Sequence, residues 1–400
     1  MNKAYLYQLI VRQLRADGFY IAASQLQRAT ATPEPHLPPN APQLAKLLSG
    51  ALESNAITDP ASLELEAAEA AITTAHSTHP QNYAFTMDPK NYRHQKPIVV
   101  CRFSPDGKYL ATGARDACLK LISVEGAPNT RDGPKPRTFY GHHGTVADVA
   151  FHPYAQLIAT CSEDTTIRLF SMDRDVTGSG HLDAISMEKN LSAVAWHPSG
   201  THLVTGTASD TVLRIFDLQR KDAIYVTDAV DKANSISMVG FNSNDRSVKY
   251  MWATHQCGIT FYDRSNGRRA NMSVTLPSIR KNVRAHFLGD GSSFLLSDGH
   301  DACRLYDIRN TAKHVKAFQS LVSSATTMDN DQVVIGLTGR DTAEQKMRVI
   351  GYLLGSGERL SLDKTARYNN ELCCGNPVSP MYALVYDKTL YIYRQASNRL

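Results

Sequence analysis

The feature that most constrains this chain is a sentence of residues that it repeats. Val99-Val100-Cys101-Arg102-Phe103 runs into Ser104-Pro105-Asp106-Gly107, then into Tyr109-Leu110-Ala111-Thr112-Gly113, then into Asp116-Ala117-Cys118-Leu119-Lys120-Leu121. Short apolar segments broken by a Pro-Asp-Gly turn predict strand, tight turn, strand, turn, strand. The same order returns at Val149-Ala150-Phe151-His152-Pro153 with Leu157-Ile158-Ala159-Thr160 and Asp164 through Phe170, and at Val194-Ala195-Trp196-His197-Pro198-Ser199-Gly200 through Leu213-Arg214-Ile215-Phe216-Asp217. Fainter copies end at Phe261-Tyr262-Asp263 and Leu305-Tyr306-Asp307. The aromatic residue before each turn falls at 103, 151, 196, 241 and 287, giving steps of 48, 45, 45 and 46. A period of that size predicts an array of small sheets, each too thin to bury its own apolar faces.

This spacing resembles that of WD repeats, which implies a mainly β fold of four-stranded blades set in a ring. Five copies are clear. Val333-Val334-Ile335-Gly336-Leu337 with Met347-Arg348-Val349-Ile350 supplies a sixth, and Tyr382-Ala383-Leu384-Val385 with Leu390-Tyr391-Ile392-Tyr393 a seventh. Seven follows from closure, because an open array would leave strand edges unpaired. The WD dipeptide itself is worn: the two tryptophans, Trp196 and Trp252, are not followed by Asp, and the second blade ends a strand in Phe170 where the repeat carries an indole donor.

The second copy holds Gly141-His142, Thr160 and Asp164, residue types that could make a hydrolase triad. The resemblance to WD repeats implies a different role, a buried polar network in which His142 bonds Thr160 and Asp164 and fixes blade geometry. Asp116 and Asp210 occupy the equivalent turns with less complete partners. No phosphate loop, His-Glu-x-x-His or nucleophile elbow occurs, so no enzyme, metal or cofactor is expected. The seven cysteines are scattered without Cys-x-x-Cys spacing and read as reduced core thiols; the vicinal Cys373-Cys374 is the one odd local feature. The formal charge of +5 is spread thinly, and apolar residues at 42% include no run of about 18 that would span a bilayer. The first ten residues lack the pattern of a secretory signal, which places the chain inside the cell.

The N-terminus reads differently. Leu6, Leu9, Ile10 and Leu14 recur at helical spacing up to Asp17-Gly18; Phe19, Ala22, Ala23 and Leu26 make a second apolar face; and Leu44, Leu47, Leu48 and Leu52 a third beyond a Pro-rich turn. Three short helices cannot bury so many apolar side chains alone. The Leu6 to Leu26 pattern resembles the LisH class of helical dimerisation motifs, so a homodimer through Leu6, Leu9, Ile10, Leu14, Phe19, Ala22, Leu26, Leu44, Leu47 and Leu48 is expected; a helical cap on the chain's own propeller is the other reading. The organisation is then a helical module over 1–54, a linker over 55–95 and a propeller over 96–400.

More specific strings are Leu6-Tyr7-Gln8-Leu9-Ile10, Asp17-Gly18-Phe19, Arg137-Thr138-Phe139-Tyr140, Phe151-His152-Pro153, His197-Pro198-Ser199-Gly200 and the closing Tyr391-Ile392-Tyr393-Arg394. With these the chain is similar to the WD-repeat subunit, subunit 1, of cleavage stimulation factor, strongly to about residue 220 and loosely beyond. That resemblance implies a nuclear, homodimeric scaffold in pre-mRNA 3′-end cleavage and polyadenylation. Its partners would be the helical-repeat subunit of the same complex and the RNA polymerase II C-terminal tail. A rival reading of the same architecture is an adaptor for a ubiquitin ligase or a microtubule motor. A third is direct RNA binding by the propeller face, motivated by the positive charge and by Arg168 and Arg214 at strand ends.

Overall fold

The structure is a computed structural model that describes residues 85–88, 92–124, 136–172, 181–218, 220, 222–227, 235–242, 249–276, 283–299, 302–321, 323–337, 349–360, 362 and 372–395. The chain divides between Tyr83 and Ala84 into two units, and the described residues all lie in the second. The helical positions Leu6, Leu9, Ile10, Leu14, Phe19, Ala22, Leu26, Leu44, Leu47 and Leu48 therefore lie outside the described residues.

Each repeat folds into an antiparallel four-stranded sheet because its apolar segments are short and its turns tight. In the second sheet Val146–Phe151, Leu157–Ser162, Thr166–Ser171 and His181–Ser186 follow one another as a meander. Seven such sheets form. Their first strands, Ile98–Phe103, Val146–Phe151, Leu191–Trp196, Ile236–Phe241, Arg284–Phe287, Ser323–Met328 and Leu372–Gly375, touch in sequence, and the last touches the first. That closed inner circle makes the fold a seven-bladed β-propeller.

The core lies between blades. Ala111, Leu119 and Leu121 of the first blade pack on Val149, Ile158 and Phe170 of the second. Ala159, Ile167 and Ile185 of the second pack on Val194, Leu203 and Phe216 of the third. Both faces of a blade are thus covered, which explains why middle strands such as Leu157–Ser162 read as nearly continuous buried runs instead of alternating.

The ring closes through a segment that the composition disguises. Phe85–Met87 pairs antiparallel with Thr389–Gln395, as does Tyr92–Arg93, so residues before 96 supply the outer strand of the seventh blade. The linker expected over 55–95 is corrected at its end: this His, Pro and Asn-rich stretch carries propeller strands. The reason is the edge of the strand Thr389–Gln395, which needs a backbone partner that no later segment provides among the described residues. Arg394 reinforces the closure with an ion pair to Asp88 at 3.0 Å and a hydrogen bond to the carbonyl of Val124 at 2.7 Å.

Candidate functional site

The second blade brings its three singled-out residues together. His142 lies on the loop leading into the blade, Thr160 on the second strand and Asp164 in the turn after it. His142 Nδ1 sits 2.9 Å from Asp164 Oδ2, and its Nε2 sits 2.7 Å from Thr160 Oγ1. Burial would raise the Asp164 carboxyl. Hydrogen bonds from the Thr166 hydroxyl, the His143 N–H and His142 overcome that and hold it well below the usual carboxylate range. An ionised Asp164 takes Nδ1–H as its donor, so Nε2 accepts the proton of the Thr160 hydroxyl.

The connectivity is that of a nucleophile triad, but the setting is not. Thr160 is fully buried and His142 is 6% exposed, so no substrate atom reaches the hydroxyl. Phe170, standing where the repeat carries Trp, is 1% exposed with its ring 5.4 Å from Phe139 and 6.3 Å from His142. Apolar packing replaces the missing indole donor, while the Thr166 hydroxyl, 2.7 Å from Asp164 Oδ1, fills the free acceptor site.

The first blade holds the same network in full. His94 lies 3.0 Å from Asp116 and 2.9 Å from Thr112, and the Gln95 N–H donates to the same carboxylate. The expectation of less complete partners at Asp116 is thus corrected. His94 falls within the stretch expected to be linker. It stands 18 residues before Thr112 and 22 before Asp116, the separations that join His142 to Thr160 and Asp164. That spacing is the signal that finds it. In the third blade the position 18 residues before Thr205 is Met187, so the Thr205 hydroxyl is buried without a partner. Asp210 there takes Lys189 at 2.8 Å and Arg214 at 3.0 Å instead.

A second set of side chains caps the turn after five of the inner strands. Ser104 accepts from the Tyr109 N–H, Asn242 from the Tyr250 N–H, and Asn376 from the N–H groups of Val378 and Ser379. His152 and His197 do the same with Nδ1, accepting from the N–H groups of Tyr154 and Ala155 and of Ser199. This explains the His-Pro dipeptides of the sequence: the imidazole replaces the Ser or Asn oxygen. The cap reaches the next blade as well, since His152 Nε2 donates to the carbonyl of Gly200 at 3.1 Å.

Cys373 and Cys374, as neighbours on the strand Leu372–Gly375, have side chains on opposite faces. Cys374 packs against the same apolar cluster as Cys101 of the first blade, and the neighbouring Cys374 thiol together with burial pushes Cys101 up. Among the described residues no three His, Cys, Asp or Glu side chains come together to hold a metal ion. On the face where the loops lead into the blades, Tyr140 stands 61% exposed beside the half-buried Gly141 and Arg168. Arg214, suggested as an RNA contact, is engaged by Asp210, while Arg168 directs Nε to Thr166 Oγ1 at 3.4 Å.

Seven sheets in a ring, with a His, Thr and Asp network binding the turns of two of them, define a β-propeller whose first three blades carry the features of WD repeats. The family profile described as WD domain, G-beta repeat matches residues 89–123, 133–171 and 176–217, the first three blades. The chain is 27% identical over 281 residues to cleavage stimulation factor subunit 50 of Arabidopsis thaliana, an alignment covering 64% of each chain. To pre-mRNA-processing factor 19 of Dictyostelium discoideum it is 23% identical over 210 residues, 49% and 39% of the two chains. The chain thus spans less than two thirds of the length of either relative. Among solved structures, the β-propeller domain of Cps50 (Swd1) of Myceliophteria thermophila superposes with a TM-score of 0.63 at 12% identity, over 78% of this chain and all of that one. That likeness is one of fold.

Proposed function

We propose that this chain is a non-enzymatic scaffold subunit of the nuclear machinery that cleaves and polyadenylates pre-mRNA 3′ ends. One observation carries the reading: the 27% identity to cleavage stimulation factor subunit 50 over 281 residues. The buried, fully engaged Thr160 and Thr112 hydroxyls support a structural use of the two triad-like networks. A ring with both faces of every blade covered leaves loops and rims for partners, the usual use of a rigid scaffold. In this reading the N-terminal helices over 1–54 make a homodimer through Leu6, Leu9, Ile10, Leu14, Phe19, Ala22, Leu26, Leu44, Leu47 and Leu48. The propeller then binds the helical-repeat subunit of the factor and the polymerase tail.

The test is purification of the tagged full chain from native nuclear extract, with mass spectrometry of what accompanies it. Recovery of 3′-end cleavage factors supports the reading. Recovery of ubiquitin-ligase or motor subunits in their place refutes it. Light scattering on a chain lacking 1–54 tests the dimer separately, since a truncated chain that stays dimeric removes those helices from the interface.

A further inference from the structure

The seam between the seventh and first blades carries two thiols that face each other. Counted back from the residue that caps the turn, the second position of a capped inner strand looks toward the next blade and the third toward the preceding one. In the second and third blades these positions are Ala150 and Val194, which share one core cluster, and in the third and fourth they are Ala195 and Val239, which share another. Arg102, at the second position of the first blade, reaches Asp148 of the second at 3.0 Å in the same way. With Asn376 and Ser104 as the caps, the same offsets at the last seam give Cys374 and Cys101. Both pack against the cluster that the seventh and first blades share.

The backbones hold this pair in place. The strands Ile98–Phe103 and Leu372–Gly375 touch along the seam, and Asn376, just past the second strand, bonds the Gly107 carbonyl at 2.8 Å. Both thiols are free and half-buried, whereas those of Cys161, Cys303 and Cys373 are buried. Cys373 sits on the other face of its strand, toward the sixth blade, and does not compete for Cys374. The Cys101 thiol and the Phe103 N–H beside Cys374 lower its pKa against the effect of burial, so Cys374 is the readier of the two to ionise. A thiolate is the form of cysteine that attacks an oxidant, and a second thiol within reach resolves the product.

We propose that Cys101 and Cys374 are a peroxide-sensitive thiol pair that oxidises to one disulfide and locks the seventh blade to the first. The Cys374 thiolate attacks one oxygen of hydrogen peroxide; the O–O bond breaks, Cys374 becomes a sulfenic acid, and the departing hydroxide takes up a proton. The Cys101 sulfur then attacks the Cys374 sulfur, the S–S bond forms, the S–O bond breaks, and a second water leaves. Two thiols are oxidised and one peroxide is reduced to two waters. Because the link joins the first inner strand to the last, it encloses almost the whole ring and opposes opening at the one seam where the chain does not run from blade to blade. The pair is independent of a role in 3′-end processing, since the two inner strands form it whatever the rims of the propeller bind.

Peptide mapping of the full chain tests it. The reduced chain is treated with hydrogen peroxide, its remaining thiols are alkylated, and the digest is read by mass spectrometry. The expected result is a linked pair of peptides that hold Cys101 and Cys374. The oxidised chain should melt about 3 °C or more above the reduced one, and dithiothreitol should cancel the rise. Cys101→Ser and Cys374→Ser should each lose the rise measured between their own oxidised and reduced forms, while Cys373→Ala keeps it. The proposal is overturned if peroxide leaves Cys101 and Cys374 unlinked, if it joins Cys374 to Cys373 instead, or if the link forms with no rise in melting temperature. The map and the melt are both read on the parent chain, so they decide the matter even where a variant fails to fold.

Discussion

Asn376, at the end of the seventh blade's inner strand, donates from Nδ2 to the carbonyl of Gly107 in the first blade at 2.8 Å. It is the contact His152 makes to Gly200 between the second and third blades, so the seam between the seventh and first blades is stitched like an ordinary blade junction. The glycines are required on two counts. Gly107 has φ +72° and Gly200 φ +76°, and a Cβ on either would lie 2.5 Å from Asn376 Oδ1 or 2.6 Å from the His152 ring. Gly107→Ala should therefore cost about 1–3 kcal/mol, from the left-handed backbone together with the displaced cap. A urea midpoint unchanged from the parent would show that the junction does not bear on stability.

Thr160 and Thr205 occupy the same register in adjacent blades, Thr160 opposite Arg168 and Thr205 opposite Arg214. One is bonded to a histidine and the other is a buried orphan. The same substitution should then have opposite signs. Thr160→Val takes the hydroxyl from the buried His142 Nε2 and is expected to destabilise by about 1–3 kcal/mol, whereas Thr205→Val removes an unsatisfied hydroxyl and is expected to be neutral or stabilising by up to about 1 kcal/mol. Denaturant unfolding of both variants checks the pair, and equal losses would contradict the account.

Burial lowers the pKa of His94, His152, His197, His255 and His286, with His197 and His255 brought to about 4. At His255 the geometry agrees: Nδ1 accepts the Cys257 N–H, which a second ring proton would displace. A folded-state value below the unfolded one means that protons bind the unfolded chain first. Stability is full above about pH 6.5 and falls as pH drops toward 4, by up to about 3 kcal/mol for each of the two most shifted rings. Unfolding measured from pH 7.5 to 4.5 should show that decline. His255→Asn keeps an acceptor for Cys257 and should flatten it; an unchanged slope would exclude His255 as a contributor.

The strand Phe85–Met87, Asp88 of the pair with Arg394, and His94 of the first-blade network all lie before residue 96. Removal of 1–83 should leave the propeller's melting temperature nearly unchanged. Removal of 1–95 should lower it by several degrees, since it exposes a strand edge and takes His94 from Thr112 and both His94 and Gln95 from Asp116. Equal melting temperatures for the two truncations would mean that the seventh blade does not need its N-terminal strand.

The first three blades are legible because the aromatic, the turn and the Asp recur at fixed offsets, and local turn chemistry is written in adjacent residues. Closure is not legible. The pairing of Phe85–Met87 with Thr389–Gln395 joins segments some three hundred residues apart, and nothing in the composition of either marks the other. His94 can be found from its 22-residue interval to Asp116, but it stands just ahead of the first apolar strand, in a stretch whose polar composition reads as linker.

The account's central claim, a scaffold acting in pre-mRNA 3′-end processing, is tested most directly by add-back. Nuclear extract depleted of this protein is supplied with the purified full chain, and cleavage of an RNA bearing a polyadenylation signal is measured. The account predicts that cleavage falls on depletion and returns with the full chain, and also with the Thr205→Val variant. Depletion that leaves cleavage intact, with this chain verified absent, would contradict it.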